Sequence, residues 1–287
     1  MMKLLNVRYL GFCTVLVLFL FSSCSNKNSA IVRVKITSAN DSKIYIEKLN
    51  FSNSELIDSS EVSKGENSIK FTVKSVIEPT FIVVRVPSKG AITLLCEPNE
   101  RMTLIINSEK FYDYTVLGSK GSQKTKELAV KLSDSKNKLN DLRVKFNLAQ
   151  DEVLKSMIEQ EYNATIDSQR TYNTRFIWAN TMSRASVMAV YQKFDDESYV
   201  FDQADDIILF KTVASSLRAI YPNSDYAKGM LADIKRMDAL VHNAKLKNMI
   251  SQSASTIPDI ALRNPNGDMV KMSSLKGKVI LLNFWAS

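Results

Sequence analysis

Thiol chemistry is the first chemistry to consider in this sequence of 287 residues, because it contains three cysteines but only one histidine. A thiol attacks as its thiolate, which becomes the main form near neutral pH where positive charge or a helix N-terminus lowers the thiol pKa. The cysteines are Cys13, Cys24 and Cys96, and no two of them form a Cys-x-x-Cys pair. A single histidine, His242, argues against a Ser-His-Asp triad or a histidine-based metal site. We therefore expect no metal and no cofactor.

Cys96 is predicted to be a buried structural residue. It ends the apolar run that begins at Ala91, and no basic residue adjoins it. A cysteine in such surroundings behaves as a small apolar side chain, and burial disfavours its thiolate. We expect its thiol to be unreactive.

Residues 1–24 have the pattern of a bacterial signal peptide with a lipidation site. Lys3 and Arg8 provide a positive start, and residues 10–21 form an apolar core too short to span a bilayer comfortably. The segment that ends at Cys24 resembles a lipobox, which implies that Cys24 carries acyl chains. Residues 25–29 would then be a short tether to the outer membrane, facing the periplasm. An ordinary cleaved signal and an uncleaved anchor remain the alternatives.

The charge pattern argues against a nucleic-acid partner. The formal net charge is +8, and removal of Lys3 and Arg8 with the signal peptide leaves 8 − 2 = +6. The remaining basic residues are spread among acids, and no basic run is interleaved with aromatic residues.

Residues 30–117 predict an antiparallel β-sandwich or barrel. Short segments of alternating polarity are separated by turn residues. The predicted strands are 31–36, 43–47, 68–73, 81–86, 91–95 and 102–106.

Residues 118–246 predict a helical domain, because apolar residues recur there at helical spacing. Two long amphipathic helices are expected to form a hairpin that breaks near Gln150, with Asp151 as the cap of the second helix. Further helices are expected at 183–192, 205–221 and 224–242, and Ser224 is expected to cap the last of these. The polar residues 247–256 are interpreted as a linker.

Residues 257–287 predict a hairpin followed by a buried strand. Asn266-Gly267 is a typical hairpin turn, and residues 273–277 predict a helical turn or loop that stops at Gly277. The run from Val279 to Phe284 is apolar except for Asn283, as in strands covered on both faces of a parallel sheet.

This last segment resembles the start of the redoxin domain in envelope thiol–disulfide oxidoreductases with a thioredoxin-like fold. The shared features are the Pro-Asp segment, the Asn-Gly hairpin and the string Gly-Lys-Val-Ile-Leu-Leu-Asn-Phe-Trp-Ala-Ser that ends at Ser287. In that family a Trp-Cys-x-x-Cys motif follows at once. The resemblance implies that Trp285 flanks the reactive cysteine, that Phe284 packs beneath it and that Pro258 lies in the loop that leads into the domain.

The resemblance implies a multidomain α+β lipoprotein, with a β-domain and a helical insert before an incomplete thioredoxin-like α/β domain. Its partners would be the membrane, through the lipid anchor, and envelope proteins that carry thiols or disulfides. Because the sequence ends before the Cys-x-x-Cys motif, we expect an N-terminal portion without catalytic residues of its own. The alternatives are a lipid-anchored binding protein with a vestigial redoxin strand and a peroxidase variant of the same family.

Overall fold

The computed structural model describes residues 28–37, 42–62, 68–87, 89–253, 259–281 and 283. The signal peptide and most of the tether predicted from the sequence lie outside these ranges. The contacts divide the chain into two units, of which the first ends at Ile234 and the second begins at Lys235.

Eight strands in the described ranges form the β-part of the first unit. They are β1 (Ala30–Thr37), β2 (Ser42–Leu49), β3 (Ser54–Val62), β4 (Ser68–Val73), β5 (Thr80–Val86), β6 (Gly90–Cys96), β7 (Arg101–Asn107) and β8 (Thr115–Leu117). The six strands expected from alternating polarity are all present, and β3 and β8 are additional.

These strands form two four-stranded sheets with the orders β4-β1-β7-β8 and β3-β2-β5-β6. The second sheet is antiparallel throughout, but β1 and β7 pair in parallel in the first. The expectation of purely antiparallel pairing was therefore wrong for this pair. Strands β2 to β6 separate the two, and a connection of that length allows a parallel return. The described strands form no closed barrel.

One hydrophobic core joins the two sheets. Alternate residues of β1 and β2 point into it, among them Val32, Val34, Ile44 and Ile46. Strand β5 differs, because Phe81 to Val84 are all buried. Its second face is therefore covered as well.

The described residues contain five α-helices. They are α1 (Lys120–Leu148), α2 (Glu152–Ala179), α3 (Ala185–Val190), α4 (Ile207–Ile220) and α5 (Asp225–Ser253), and a 3₁₀ turn (Ala204–Asp206) precedes α4. The expected cap of α2 is confirmed, since the Asp151 carboxylate accepts hydrogen bonds from the amides of Val153 and Leu154. Helix α5 continues to Ser253, so 247–253 of the expected linker is helical; 254–256 lies outside the described residues.

Side chains of α1 cover the open edge of β6. The Ser122 hydroxyl accepts from the amide of Leu95 and donates to the carbonyl of the same residue, both at 3.0 Å. The hydroxyl of Thr125 donates to the carbonyl of Thr93 at 3.1 Å. The helix thus satisfies backbone groups that a neighbouring strand would otherwise pair with.

The second unit contains the hairpin that the sequence predicts. Strands β9 (Ala261–Arg263) and β10 (Met269–Lys271) pair antiparallel, and Gly267 adopts φ 91° in the turn. A 3₁₀ turn (Met272–Leu275) follows. The Asp259 carboxylate accepts from the amide and the hydroxyl of Ser273 at 2.7 and 2.9 Å, which ties the start of the hairpin to this turn.

The buried strand expected at 279–284 is not formed by its described residues, which are 279–281 and 283. Val279 and Leu281 are fully solvent-exposed. An apolar run becomes a buried strand only where neighbouring strands pair with it, and no strand in the described ranges does so. No helix in those ranges is long and apolar enough to cross a membrane.

Candidate functional site

The residues singled out from the sequence for their roles in the family lie outside the described residues. These are the lipidation candidate Cys24 and the redoxin-flanking Pro258, Phe284 and Trp285. Their roles therefore stay predictions.

The predicted burial of Cys96 is confirmed. Its side chain is inaccessible in the core between the sheets. Desolvation, with a smaller contribution from the negative charge of Glu100, raises the pKa of this thiol far above its ordinary value. Cys96 is consequently a packing residue rather than a nucleophile.

The parts of the chain that the structure describes contain no group of three or more metal-ligating side chains. His242 is exposed on α5.

An apolar concave site in the first unit lies between the second sheet and the helices. We call it the aromatic cavity; its volume is about 490 Å³, which is within the usual range for sites of small ligands. Five aromatic side chains line it, namely Phe51, Phe81, Tyr191, Tyr199 and Tyr226. Leu132, Val187 and Met188 supply aliphatic wall.

Edge-to-face contacts hold the aromatic rings in place. The ring of Phe51 meets those of Tyr191 and Tyr226 at centroid distances of 5.7 and 5.8 Å. Phe81 meets Tyr226 from the sheet side at 5.4 Å. These separations are those of favourable aromatic pairs, so the wall is set before any ligand arrives.

A glycine in α5 makes room for Phe51. A Cβ atom at Gly229 would stand 2.2 Å from Cδ1 of Phe51, closer than carbon atoms approach. Glycine is normally unfavourable inside a helix by about 1 kcal/mol relative to alanine. At this position it permits the ring to lie directly on the helix backbone.

Several polar groups of the wall are bonded within the protein. The hydroxyl of Tyr226 donates to the carbonyl of Leu49 at 2.6 Å, and that of Tyr191 donates to the carboxylate of Asp233 at 2.7 Å. The surface that these residues offer to a ligand is therefore mainly that of their rings.

A buried amide network supports the cavity from behind. Gln192 donates to the carbonyl of Leu128 at 2.9 Å and accepts from Asn173 at 2.8 Å. Gln169 donates to Asn173 and accepts from the hydroxyl of Ser135 at 2.7 Å. Because each of these groups is desolvated, the network fixes the segment that carries Tyr191 and Lys193.

Arg184 supports Tyr226 on another side. Its guanidinium carbon lies 5.2 Å from the ring centroids of both Tyr221 and Tyr226. The same guanidinium pairs with Glu78 at 3.0 Å and donates to the hydroxyl of Ser224 at 2.8 Å. A cation held in this way keeps the tyrosine ring in one orientation.

One positive charge stands at the cavity. Lys193 Nζ lies 4.3 Å from the ring centroid of Tyr199 and donates to the carbonyl of Asp196 at 3.2 Å. The ion pairs found among the described residues do not include Lys193. Asp233 also lines the cavity, and its carboxylate accepts the hydrogen bond from the hydroxyl of Tyr191. Fixed rings beside one cation are an arrangement that suits the binding of a small ligand.

Sequence reasoning did not find the aromatic cavity. Its wall residues are scattered from Leu49 to Asp233, and each has the ordinary spacing of a core residue. The one local signal was Gly229 within a helical pattern, which indicates a close approach by another group.

No protein-family model matches this chain, and no curated protein is significantly similar to it.

Proposed function

We propose that the chain is the N-terminal portion of a membrane-anchored thiol–disulfide oxidoreductase of the periplasm. The observation that carries the proposal is the segment 257–287, which resembles the start of a redoxin domain. The hairpin β9–β10, its Asn-Gly turn and the following 3₁₀ turn are consistent with that resemblance.

Disulfide exchange would not be performed by residues 1–287 alone. Exchange needs a thiolate that attacks a disulfide sulfur and a second thiol that resolves the mixed disulfide. The sequence has no Cys-x-x-Cys pair, and the described thiol of Cys96 is buried. In the resembling family the two thiols follow the Phe-Trp-Ala-Ser segment, so the chemistry would belong to residues beyond Ser287.

Reading the gene beyond the codon for Ser287 tests the redox proposal. We expect an in-frame Trp-Cys-x-x-Cys, or one that a single frameshift restores. The protein extended through that motif should catalyse reduction of insulin by dithiothreitol, and residues 1–287 should not. A reading frame without paired cysteines would contradict the proposal.

The proposed lipid anchor has its own test. Replacement of Cys24 by serine should abolish labelling with palmitate in the bacterial host and release the protein from the membrane fraction. The matched control is Cys13→Ser, which removes the other cysteine of the signal segment and should leave labelling unchanged. Equal labelling of the two variants would exclude Cys24 as the acceptor.

A second candidate function is that of a non-enzymatic binding protein of the envelope. The aromatic cavity favours it, because this site is walled by rings that their own contacts hold in place. The gene sequence beyond the codon for Ser287 distinguishes the two candidates, because a binding protein needs no paired cysteines there.

A further inference from the structure

We propose that the aromatic cavity binds a small amphipathic anion, in which an aromatic or acyl group lies next to one negative charge. The proposal rests on the second candidate function and adds the chemical class of the ligand. It requires neither thiol chemistry nor a membrane.

The apolar half of the ligand follows from the wall. Phe51, Phe81 and Tyr226 present ring surface, and the Tyr226 hydroxyl is already used by Leu49. A polar group placed among these rings would lose its water without gaining a partner, which costs about 1–3 kcal/mol. An aromatic or branched aliphatic group would instead displace water from apolar surface.

The anionic half follows from the charges at the cavity. The ammonium group of Lys193 donates to the carbonyl oxygen of Asp196 and lies over the ring of Tyr199. Asp233 is turned to Tyr191 by a 2.7 Å hydrogen bond. A carboxylate or sulfonate beside Lys193 would therefore gain a charge-assisted hydrogen bond.

Preorganisation strengthens the inference. The glycine at 229 allows Phe51 to lie on α5, and the amide network anchors Gln192, the neighbour of Lys193. Both the ring wall and the cation are thus positioned by contacts that exist without ligand. A site of this kind loses little conformational entropy when it binds.

The fluorescent probe 1-anilinonaphthalene-8-sulfonate belongs to the proposed class, since it joins aromatic rings to a sulfonate. We expect it to bind the purified full chain saturably under native conditions. 3-Phenylpropanoate should displace it more effectively than the neutral analogue 3-phenylpropan-1-ol. Absence of saturable binding to the folded protein would overturn the proposal.

Two variants locate the binding. Met188→Trp places an indole in the cavity wall. It should weaken binding of the probe by about tenfold or more, because a bulky ring fills the space that the probe needs. Met182→Trp makes the same change at a methionine that is 70% exposed, and it should bind as the wild type does. Equal binding by the two variants, with unchanged thermal midpoints, would place the probe elsewhere and overturn the proposal.

A third variant tests the charge. Lys193→Gln should weaken binding of 3-phenylpropanoate by about threefold to tenfold, as expected for the loss of one partly screened charge. The affinity for 3-phenylpropan-1-ol should stay unchanged. The matched control is Lys74→Gln, because Lys74 is exposed and follows β4 in the other sheet. An equal loss in both lysine variants, or none in either, would contradict an anionic ligand.

Discussion

The hydroxyl of Tyr226 donates a 2.6 Å hydrogen bond to the backbone carbonyl of Leu49, 177 residues earlier in the sequence. The bond joins the first turn of α5 to the last residue of β2. Desolvation is the main cause that raises the pKa of the Tyr226 phenol, so the hydroxyl keeps its proton and remains a donor. One contact therefore fixes a corner of the aromatic cavity and connects the sheet to the helices.

Replacement of Tyr226 by phenylalanine should lower the free energy of unfolding by about 1–2 kcal/mol, because it keeps the ring but leaves the carbonyl of Leu49 without its partner. Urea denaturation followed by circular dichroism measures the change. Tyr112→Phe serves as the control, since Tyr112 is 60% exposed. Equal stability of the two variants would show that the bond contributes nothing.

Gly229→Ala should destabilise the protein although alanine is the better helix former. The helix preference would stabilise by about 1 kcal/mol, but the new Cβ would stand 2.2 Å from Phe51, and relief of such a clash costs about 1–3 kcal/mol. The clash should prevail. Chemical denaturation of wild type and variant measures this, and the midpoint of the variant should be lower.

A second background separates the two effects. In Phe51→Ala the ring is absent, so the change at Gly229 should become neutral or stabilising there. A destabilisation of the same size in both backgrounds would mean that Phe51 is not the cause.

The features that sequence reasoning predicted correctly depend on local chemistry. The cap by Asp151 and the turn at Asn266-Gly267 each follow from residues within a few positions of one another. Strand β3 was missed because Ser54–Val62 is an edge strand made mostly of polar, exposed residues. It therefore lacks the alternation of apolar and polar residues that predicts a strand.

The aromatic cavity and the parallel pairing of β1 with β7 depend on contacts between distant parts of the chain. Phe51 and Tyr191, for example, meet at 5.7 Å although 140 residues separate them (191 − 51 = 140). Neither residue has a local pattern that distinguishes it from an ordinary core aromatic. Only the folded arrangement shows that their rings leave a space.

Cys96 should resist thiol reagents in the folded protein. Desolvation raises the pKa of its thiol, so the reactive thiolate is not formed at pH 8, and the side chain is also inaccessible. In a Cys24→Ser, Cys13→Ser background, Ellman's reagent should detect a thiol only after guanidinium is added. Rapid labelling of the native protein would contradict the burial.

A bidentate ion pair between Glu47 on β2 and Arg85 on β5 should make stability depend on pH. Arg85 Nε lies 2.9 Å from Oε1 and its second nitrogen 3.2 Å from Oε2. The hydrogen bond from Arg85 is the main cause that lowers the pKa of Glu47 below its ordinary value of 4.5. The stabilisation is therefore present above pH 4.5 and is lost as the pH falls through the lower, folded-state pKa.

Glu47→Gln should accordingly reduce the free energy of unfolding at pH 7 by no more than about 1 kcal/mol, because the pair is partly exposed and solvent screens it. The difference from wild type should shrink as the pH falls below 4.5. In an Arg85→Met background the same substitution should lose this pH dependence, since the guanidinium that holds the carboxylate ionised is gone. The four proteins of the cycle are wild type, the two single variants and the double variant. Urea denaturation at steps of about one pH unit between pH 3 and pH 7 measures the free energy of unfolding of each. A Glu47→Gln effect that is constant across this range would show that the pair does not couple folding to protonation.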